Sequence, residues 1–292
     1  MGFFMGYIYV SQYMKKINIC LIKPEKYIHS DAFWELGELI YYSFQDLGYE
    51  ARLVFNKIEI EVKNIIIGCH LLDPKLIEQI PKSTVILNTE QIYSDETEWN
   101  KNLFDWVTNF EVWDYSQRNI EKFNDMGINR VKHFKIGFQK ELARLSNTKE
   151  KDVDVLFYGA VNERRKEILN KLEAKGLKVK TLFGVYGKER DEWIERSKIV
   201  LNLHHYSSQI FEIVRVFYLL TNSIAVVGEV NETTSIDIMC KDGIYGANYE
   251  DLVDGCMEVV SNPEIREKIK ISAIRSIIKY PQKLFTQEVM EY

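Results

Sequence analysis

Glu212 and Arg215 are spaced so that a helix would place both side chains on one face of its first turn. An arginine in that position can donate two hydrogen bonds to phosphate oxygens, and a carboxylate can accept hydrogen bonds from two ribose hydroxyl groups. The N-terminus of a helix also favours an anion, because its backbone N–H groups are free. The pair is therefore typical of a nucleoside-diphosphate site. The competing interpretation is a local ion pair within the helix.

A second group of side chains could carry proton transfer. His29 stands two residues before Asp31, in the loop after the first predicted strand. A histidine can act as a general base near neutral pH, and a neighbouring carboxylate can orient its imidazole. His70 and Glu90 follow two other strands and are alternative bases. The competing interpretation of His29 is a histidine that caps a helix or packs.

The adjacent residues His204 and His205 do not predict a metal site. They follow a strand, where successive side chains point in opposite directions. No carboxylate or cysteine stands beside them to complete a set of ligands. We therefore expect no bound metal, and we expect one of the two histidines to contact a phosphate or a sugar.

Strands that alternate with helices would position these residues. Apolar runs predict strands at residues 17–22, 51–55, 65–67, 84–87, 110–113, 153–157, 179–183, 199–203 and 225–227. Helical spacing predicts helices at about residues 30–47, 116–125, 163–174, 189–197, 210–220, 249–260 and 264–279. This alternation indicates an α/β protein built on parallel sheets.

The alternation stops at a polar stretch, residues 146–152, and then starts again. We therefore predict an N-terminal Rossmann-like domain at residues 1–145 and a C-terminal one at 146–292, with a hinge near Asn147. The last helix could cross back to the first domain. Residues 1–13 are apolar and aromatic, and we predict an extension there, with peripheral membrane contact as the alternative.

Polar and glycine residues gather where the predicted strands end. In the first half they are His29, Asp31, Gly68, His70, Asn88, Glu90 and residues 114–116, and in the second half they are Tyr158, Gly159 and residues 184–187 and 202–205. Ligands of open parallel sheets bind outside the carboxyl ends of the strands. Two such sheets facing each other predict a small-molecule cleft between the domains.

Composition and missing motifs exclude several classes of protein. The net charge of −5 argues against a nucleic-acid-binding surface. The 4 cysteines form no CxxC pair, which argues against a zinc ribbon and favours a reducing cytoplasm. Neither GxGxxG nor GxxxxGK[ST] occurs, so the usual dinucleotide and P-loop sites are not predicted. No apolar run is long enough for a transmembrane span.

The second half resembles a known nucleotide-binding domain. Residues 154–229 are similar to the C-terminal domain of GT-B glycosyltransferases, in particular the bacterial and viral group described as family 1-like or CgeB-like. The segments that carry the resemblance are residues 155–159, 162–165, 182–187, 197–204 and 211–215, together with 112–116 and Asn119 in the first half. The resemblance extends over about residues 60–260.

The resemblance implies a GT-B fold, in which two Rossmann-like domains face a central cleft. It also implies a transferase that moves a sugar from a UDP- or GDP-linked donor to a hydroxyl acceptor, without a metal or another cofactor. The implied donor-binding residues are Tyr158, Gly159, Arg164, Gly184, Val185, Tyr186, Asn202, His204, Glu212 and Arg215. Those on the acceptor side are His70, Glu90 and Tyr115. His29 with Asp31 would be the catalytic base of an inverting reaction.

Other functions and several acceptors stay open at this point. The E-x7-E arrangement of retaining family-4 enzymes is absent, because Leu220 is not acidic. A non-catalytic protein that binds a nucleotide or a sugar is one alternative. A GT-B-like epimerase of UDP-sugars is another, which would need carboxylates in the first-domain cleft, where Glu90 and Asp31 are the candidates. The acceptor could be a glycan, a lipid-linked oligosaccharide, a protein or a modified nucleobase.

Overall fold

The computed structural model describes residues 16–92, 98–146, 149–206 and 208–291. The predicted extension at residues 1–13 and the hinge residue Asn147 lie outside the described residues. Within the described part of the chain, strands and helices alternate as the sequence predicts, and the strands form two separate parallel sheets.

The first sheet has six parallel strands among the described residues. They are β1 (Lys16–Leu21), β2 (Glu50–Phe55), β3 (Lys63–Ile67), β4 (Val85–Asn88), β5 (Glu111–Asp114) and β6 (Val131–His133). Their order in space is β2-β1-β3-β4-β5-β6. The strand order therefore reverses between β1 and β3, which opens a crevice at the carboxyl ends of these strands.

The second sheet has five parallel strands among the described residues. They are β7 (Val153–Tyr158), β8 (Val179–Leu182), β9 (Ser197–Asn202), β10 (Val226–Glu229) and β11 (Tyr245–Ala247). Their order is β11-β10-β9-β7-β8, so this sheet reverses between β7 and β9. The central strands of both sheets are almost fully buried, because helices cover both faces of a parallel sheet.

Helices pack on both faces of the two sheets. They are α1 (Trp34–Asp46), α2 (Glu98–Val107), α3 (Gln117–Asp125), α4 (Glu163–Ala174), α5 (Gly187–Arg196), α6 (Ile213–Thr221), α7 (Ile238–Asp242), α8 (Leu252–Ser261), α9 (Pro263–Ile277) and α10 (Gln282–Glu291). None of the helices in the described ranges has the length and apolar character that a bilayer span requires.

Three predicted helices begin later than the sequence suggests, and one of them is α8, which follows a 3-10 helix at Tyr249–Asp251. The chain from Ile28 to Phe33 is a 3-10 helix, and α1 begins only at Trp34. Ile210 forms a parallel bridge with Ser235, so it is held in extended backbone. As a result α6 begins at Ile213, and Glu212 occupies the N-cap position.

The chain crosses between the domains at two adjacent segments. Phe138 lies in the first crossing, and its N–H donates to Tyr280 O at 2.8 Å. A Cβ on Gly137 would lie 2.3 Å from Tyr280 O, so only glycine allows the two segments to come this close. The second crossing leads into α10, which packs against α1 of the first domain. The hydroxyl groups of Ser43 and Thr286 are 2.8 Å apart there.

Candidate active site

A cleft of about 550 Å³ lies between the two sheets, at the carboxyl ends of their strands. This is the central cleft that the sequence predicts, and its volume suits a ligand larger than a single sugar. Residues from both domains line it. Among them are Tyr27, His29, Glu35, His70, Glu90 and Tyr115 from the first domain and Tyr158, Gly159, Gly184, Val185, Tyr186, Arg190, Glu212 and Arg215 from the second.

Glu212 lies in the cleft just before the first turn of α6. Its Oε2 accepts a hydrogen bond from Asn202 Nδ2 at 2.9 Å, and its Oε1 lies 3.4 Å from Arg165 Nη2. Burial alone would raise the pKa of Glu212, but His204 and the charges of Arg215 and Arg165 outweigh it and lower the pKa. The carboxylate is therefore ionised and can accept hydrogen bonds from a ligand.

Arg215 stands in the first turn of α6 and reaches the cleft. Its Nη1 donates to Asn202 Oδ1 at 3.0 Å, and its guanidinium lies 5.3 Å from the centre of the Tyr158 ring. No carboxylate in the described ranges forms an ion pair with Arg215, since Glu212 is paired with Arg165 instead. The alternative of a local ion pair within the helix therefore does not hold. The charge of Arg215 is available to an anion.

Gly159 gives Arg215 the space that it occupies. The backbone of Gly159 has φ +134°, a conformation that a side chain disfavours. A Cβ at this position would lie 2.8 Å from Arg215 Nη2. The guanidinium therefore packs directly against the backbone of the loop that follows β7. This brings the arginine of α6 to the point where the second sheet changes its strand order.

Of two consecutive arginines at the start of α4, Arg164 is the predicted donor-binding residue, and neither arginine is among the residues that line the cleft. Arg164 forms an ion pair with Glu229 and stacks at 3.9 Å on the Tyr249 ring, outside the residues that line the cleft. Arg165 is the buried one, and it holds Glu212. Neighbouring residues of a helix point about 100° apart, so only one of the two can face the switch point of the sheet.

Arg165 is tied to the loops around the cleft. Its Nη1 donates to Ala160 O at 2.8 Å, and its Nε donates to His204 O at 3.3 Å. Burial, and then the charge of Arg215, lower the pKa of Arg165. Since its donors are used on backbone carbonyls and on Glu212, Arg165 orients the acidic side chain while Arg215 faces the cleft.

Two predicted donor-binding residues lie behind the cleft rather than in its lining. Asn202 connects Glu212 to Arg215, because its amide donates to the first and its carbonyl accepts from the second. The Nδ1 atom of His204 lies 3.4 Å from Glu212 Oε2, and its Nε2 lies 3.4 Å from Thr234 Oγ1. Both side chains therefore support Glu212. Direct contact of His204 with a phosphate or a sugar stays a prediction.

The loop after β8 joins the second domain to the first. Gly184 and Val185 line the cleft, and a Cβ on Gly184 would lie 2.9 Å from Ile28 Cδ1. The Oη atom of Tyr186 lies 2.8 Å from His29 Nδ1. The predicted partner of His29, Asp31, is instead bound by Lys23 Nζ at 2.6 and 2.8 Å.

In the first domain, Glu90 and His70 form a pair near the ends of β4 and β3. Glu90 Oε1 lies 3.6 Å from His70 Nε2, and the side chain of Glu90 is 31% exposed whereas that of His70 is 5% exposed. Burial lowers the pKa of His70, although the charge of Glu90 acts in the opposite direction. The imidazole therefore stays neutral at physiological pH.

Two tyrosines line the cleft, Tyr158 from the second domain and Tyr115 from the first. Burial raises the pKa of Tyr158 to about 12, while the nearby Arg190 and Arg215 act to lower it. Burial raises the pKa of Tyr115 well above its usual value, and the charges of Asp114, Glu90 and Glu212 add to this effect. Both phenols are therefore neutral and can donate a hydrogen bond.

A buried ion pair that the sequence did not reveal lies at the floor of the cleft. Arg190 Nη2 donates to Glu35 Oε1 at 2.8 Å, and Nη1 donates to Glu35 Oε2 at 3.2 Å. The two residues are 155 positions apart and belong to different domains, so no local pattern could have paired them. In the described residues, no three His, Cys, Asp or Glu side chains are grouped as the ligands of a metal ion.

Two parallel-sheet domains that face a central cleft define the GT-B architecture. The solved structures that resemble this chain include glycosyltransferases with that architecture. No protein-family model matches the chain. In sequence, the chain is 26% identical over 288 residues to Uncharacterized protein L140 of Acanthamoeba polyphaga mimivirus, covering 92% of this chain and 91% of L140. Uncharacterized protein L137 of the same virus is 28% identical over 160 residues, which are 52% of this chain and 21% of L137.

Three solved structures illustrate the likeness in fold. HepE from Anabaena, in complex with UDP and glucose, matches with a TM-score of 0.60 at 10% identity, over 96% of this chain and 99% of HepE. WaaG, a glycosyltransferase involved in lipopolysaccharide biosynthesis, matches with a TM-score of 0.58 at 9% identity, over 94% and 98%. TarM matches with a TM-score of 0.55 at 11% identity over 87% of this chain, which spans only 57% of TarM. The predicted GT-B fold is therefore confirmed.

Proposed function

We propose that this chain is a glycosyltransferase that moves a sugar from a nucleotide-sugar donor to a hydroxyl acceptor. The observation that carries the proposal is the cluster at the switch point of the second sheet, where ionised Glu212 stands beside Arg215, whose charge has no ion-pair partner in the described ranges. Solved structures of the same fold support a UDP-linked donor, since HepE is in complex with UDP-glucose in one of them. The similarity to the CgeB-like group stays a prediction.

Each half of the donor has a matching group in the cluster. Glu212 accepts hydrogen bonds from the ribose hydroxyl groups, and Arg215 donates to the diphosphate. The N-terminus of α6 adds the positive end of its helix dipole, which favours the same anion. Neutral Tyr158, which lies beside Arg215, can donate a further hydrogen bond to a phosphate oxygen or to the sugar.

We further propose that the reaction inverts the anomeric configuration and uses no bound metal. Negative charge develops on the β-phosphate as the bond to the sugar breaks. Arg215 and the N-terminus of α6 stabilise that charge, which is the role a divalent cation would otherwise have. If no bound metal takes part, turnover is expected to persist in excess EDTA.

Inversion requires a base on the acceptor side to take the proton of the attacking hydroxyl group.

The test is donor turnover by the purified chain. UDP, GDP and their common sugar conjugates are first compared for thermal stabilisation, because a ligand that binds the native state raises its stability. Release of the nucleoside diphosphate is then measured with water or a simple alcohol as the acceptor. The matched variants are Arg215→Ala and Arg130→Ala, the second at an exposed arginine of the other domain.

The outcomes separate the alternatives. Release of nucleoside diphosphate by the wild type and by Arg130→Ala, but not by Arg215→Ala, supports the proposal. Stabilisation without any release would indicate a nucleotide-binding protein that is not catalytic. Interconversion of UDP-sugars without release would indicate an epimerase. Neither stabilisation nor release with any donor would contradict the proposal.

A further inference from the structure

The backbone N–H and carbonyl groups of Glu90 are hydrogen-bonded to the side chains of two buried asparagines. Asn88 Nδ2 and Asn119 Nδ2 each donate to Glu90 O at 2.9 Å, and Glu90 N donates to Asn88 Oδ1 at 3.1 Å. Both asparagines also donate to the buried carboxylate of Asp114. This anchor uses only the main chain of Glu90. The fold therefore fixes the position of this residue without needing its carboxylate.

The next residue, Gln91, ties this strand end to the nucleotide side of the cleft. Gln91 Nε2 donates to Ile210 O at 3.1 Å, and Ser208 Oγ donates to Gln91 Oε1 at 2.6 Å. Ser208 and Ile210 belong to the loop that leads directly into Glu212. Glu90 is therefore held opposite the predicted donor site, one residue away from a contact between the two domains.

The carboxylate of Glu90 lines the cleft and is backed by a buried histidine. His70 Nε2 lies 3.6 Å from Glu90 Oε1, and His70 itself is almost fully buried. The separation is slightly longer than a hydrogen bond, so a small side-chain rotation would let a neutral imidazole donate an N–H to one carboxylate oxygen and leave the other oxygen facing the cleft. This arrangement orients a proton acceptor toward a ligand.

His29, by comparison, is engaged at the contact between two loops. Its Nδ1 lies 2.8 Å from Tyr186 Oη, and its ring lies 4.9 Å from the Phe183 ring of the second domain. The carboxylate of Asp31, which could have oriented the imidazole, is bound by Lys23. These contacts favour a role for His29 in closing the cleft.

We propose that Glu90, rather than His29, is the general base that deprotonates the acceptor, and that His70 is its positioning residue. The inference rests on the proposed function and names the group that completes it. The acceptor O–H proton moves to the Glu90 carboxylate as the oxygen forms its bond to the anomeric carbon. The bond from that carbon to the β-phosphate oxygen breaks, and the electron pair leaves with the nucleoside diphosphate at Arg215.

The direct test is the nearly isosteric substitution Glu90→Gln. It is expected to lower kcat by about 10²–10⁴-fold, the usual range for loss of a general base, and to leave the affinity for UDP unchanged. Glu78→Gln is the matched control, because Glu78 is an exposed carboxylate of the same domain outside the cleft. His29→Asn is measured alongside and is expected to reduce kcat less than Glu90→Gln does.

The pH profile of kcat gives a second readout. A carboxylate base is inactive when it is protonated, so activity is expected to fall toward acidic pH, and Glu90→Gln is expected to remove this acidic limb. The other titratable groups on which the charge of Glu90 acts are His70, Tyr27, Cys69 and Tyr115. The pKa values of Tyr27, Cys69 and Tyr115 are raised, so these three groups do not titrate in the acidic range, and the pH profile of His70→Gln separates any contribution of His70, whose pKa is lowered by burial.

The positioning role of His70 is tested by two substitutions. His70→Gln keeps an N–H donor and is expected to retain more activity than His70→Leu, while both variants bind UDP. Equal activity of the two would remove the positioning role.

Three further results would overturn the base assignment while the proposed function stands. The first is a kcat of Glu90→Gln within a few-fold of an active wild type, and the second is an acidic limb that is unchanged in Glu90→Gln. The third is a product that retains the anomeric configuration of the donor. A wild type that releases no nucleoside diphosphate would instead contradict the proposed function, and the inference with it.

Discussion

Arg215 differs from the other cleft arginines in what neutralises its charge. Arg165 contacts Glu212, and Arg190 contacts both Glu35 and Asp191. Arg215 has the amide oxygen of Asn202 as its hydrogen-bond partner in the described part of the chain. A cation without a carboxylate partner beside a ligand cleft favours an anionic ligand, and a diphosphate fits the geometry around the start of α6.

Arg215→Ala is expected to weaken the binding of UDP by about 1.5–3 kcal/mol, which is about tenfold to a hundredfold in Kd. The reason is the loss of a charged hydrogen bond to phosphate. Isothermal titration calorimetry on folded protein measures the change. Arg130→Ala, which changes an exposed arginine, is expected to bind UDP as the wild type does. Equal affinities of Arg215→Ala and the wild type would remove Arg215 from the donor site.

At the scale of elements, α1 and α5 are joined by the ion pair of Glu35 and Arg190. Both side chains are almost fully buried, at 3% and 5% exposure. Arg144, from the first crossing segment, also lies 3.5 Å from Glu35, and its Nε donates to Tyr218 of α6. A single charge network therefore connects a helix of the first domain to two helices of the second domain, α5 and α6.

Removing one partner of this pair is expected to cost more than removing both. Glu35→Leu leaves the charge of Arg190 buried with Asp191 as the remaining carboxylate, and about 3–5 kcal/mol of unfolding free energy should be lost. The double variant Glu35→Leu with Arg190→Met should recover part of that loss, because the guanidinium is no longer buried without Glu35, and Asp191 keeps its hydrogen bond from Tyr218. Urea unfolding of the two single variants and the double variant measures the coupling. A loss of unfolding free energy in the double variant that equals the sum of the losses in the two single variants would contradict the coupling.

At the scale of the whole molecule, the two domains are connected by two crossing segments and by contacts around the cleft. Tyr186 meets His29 on one side, and Gln91 meets the loop at Ser208 and Ile210 on another. Contacts of this kind between domains are usually broken and re-formed as a ligand enters and leaves. We refer to the arrangement in which both contacts are formed as the closed arrangement of the cleft.

Addition of UDP is expected to shift the molecule toward this closed arrangement and to reduce its radius of gyration in small-angle scattering. Tyr186→Phe removes the hydroxyl that meets His29, so this variant should be more open without ligand and should show a larger decrease on adding UDP. Tyr280→Phe is the control, because Tyr280 lies in the second crossing segment and is not among the residues that line the cleft. A radius of gyration that stays the same with and without UDP, in both the wild type and Tyr186→Phe, would show that the domains do not move.

The sequence determined the elements that have strong local signals. The central strands are apolar runs because both faces of a parallel sheet are buried, and α4 extends over the predicted residues 163–174, with Asn162 capping its first turn. The short strands β6 and β11 were missed, because partly exposed edge strands of three residues carry no apolar run. The start of α6 shifted because a tertiary bridge, Ile210 with Ser235, outweighed its helical pattern.

The local sequence pattern predicted which residues lie near the cleft, but it did not predict which residues they contact. Strand ends in a parallel sheet share one edge, so the positions of Glu90, Tyr158 and Glu212 near the cleft follow from sequence alone. Tertiary structure decided that Arg165 rather than Arg164 holds Glu212, and that His29 meets Tyr186, 157 residues away. A contact between two domains depends on how the two sheets are oriented, and that orientation comes from packing spread over the whole chain rather than from any short segment.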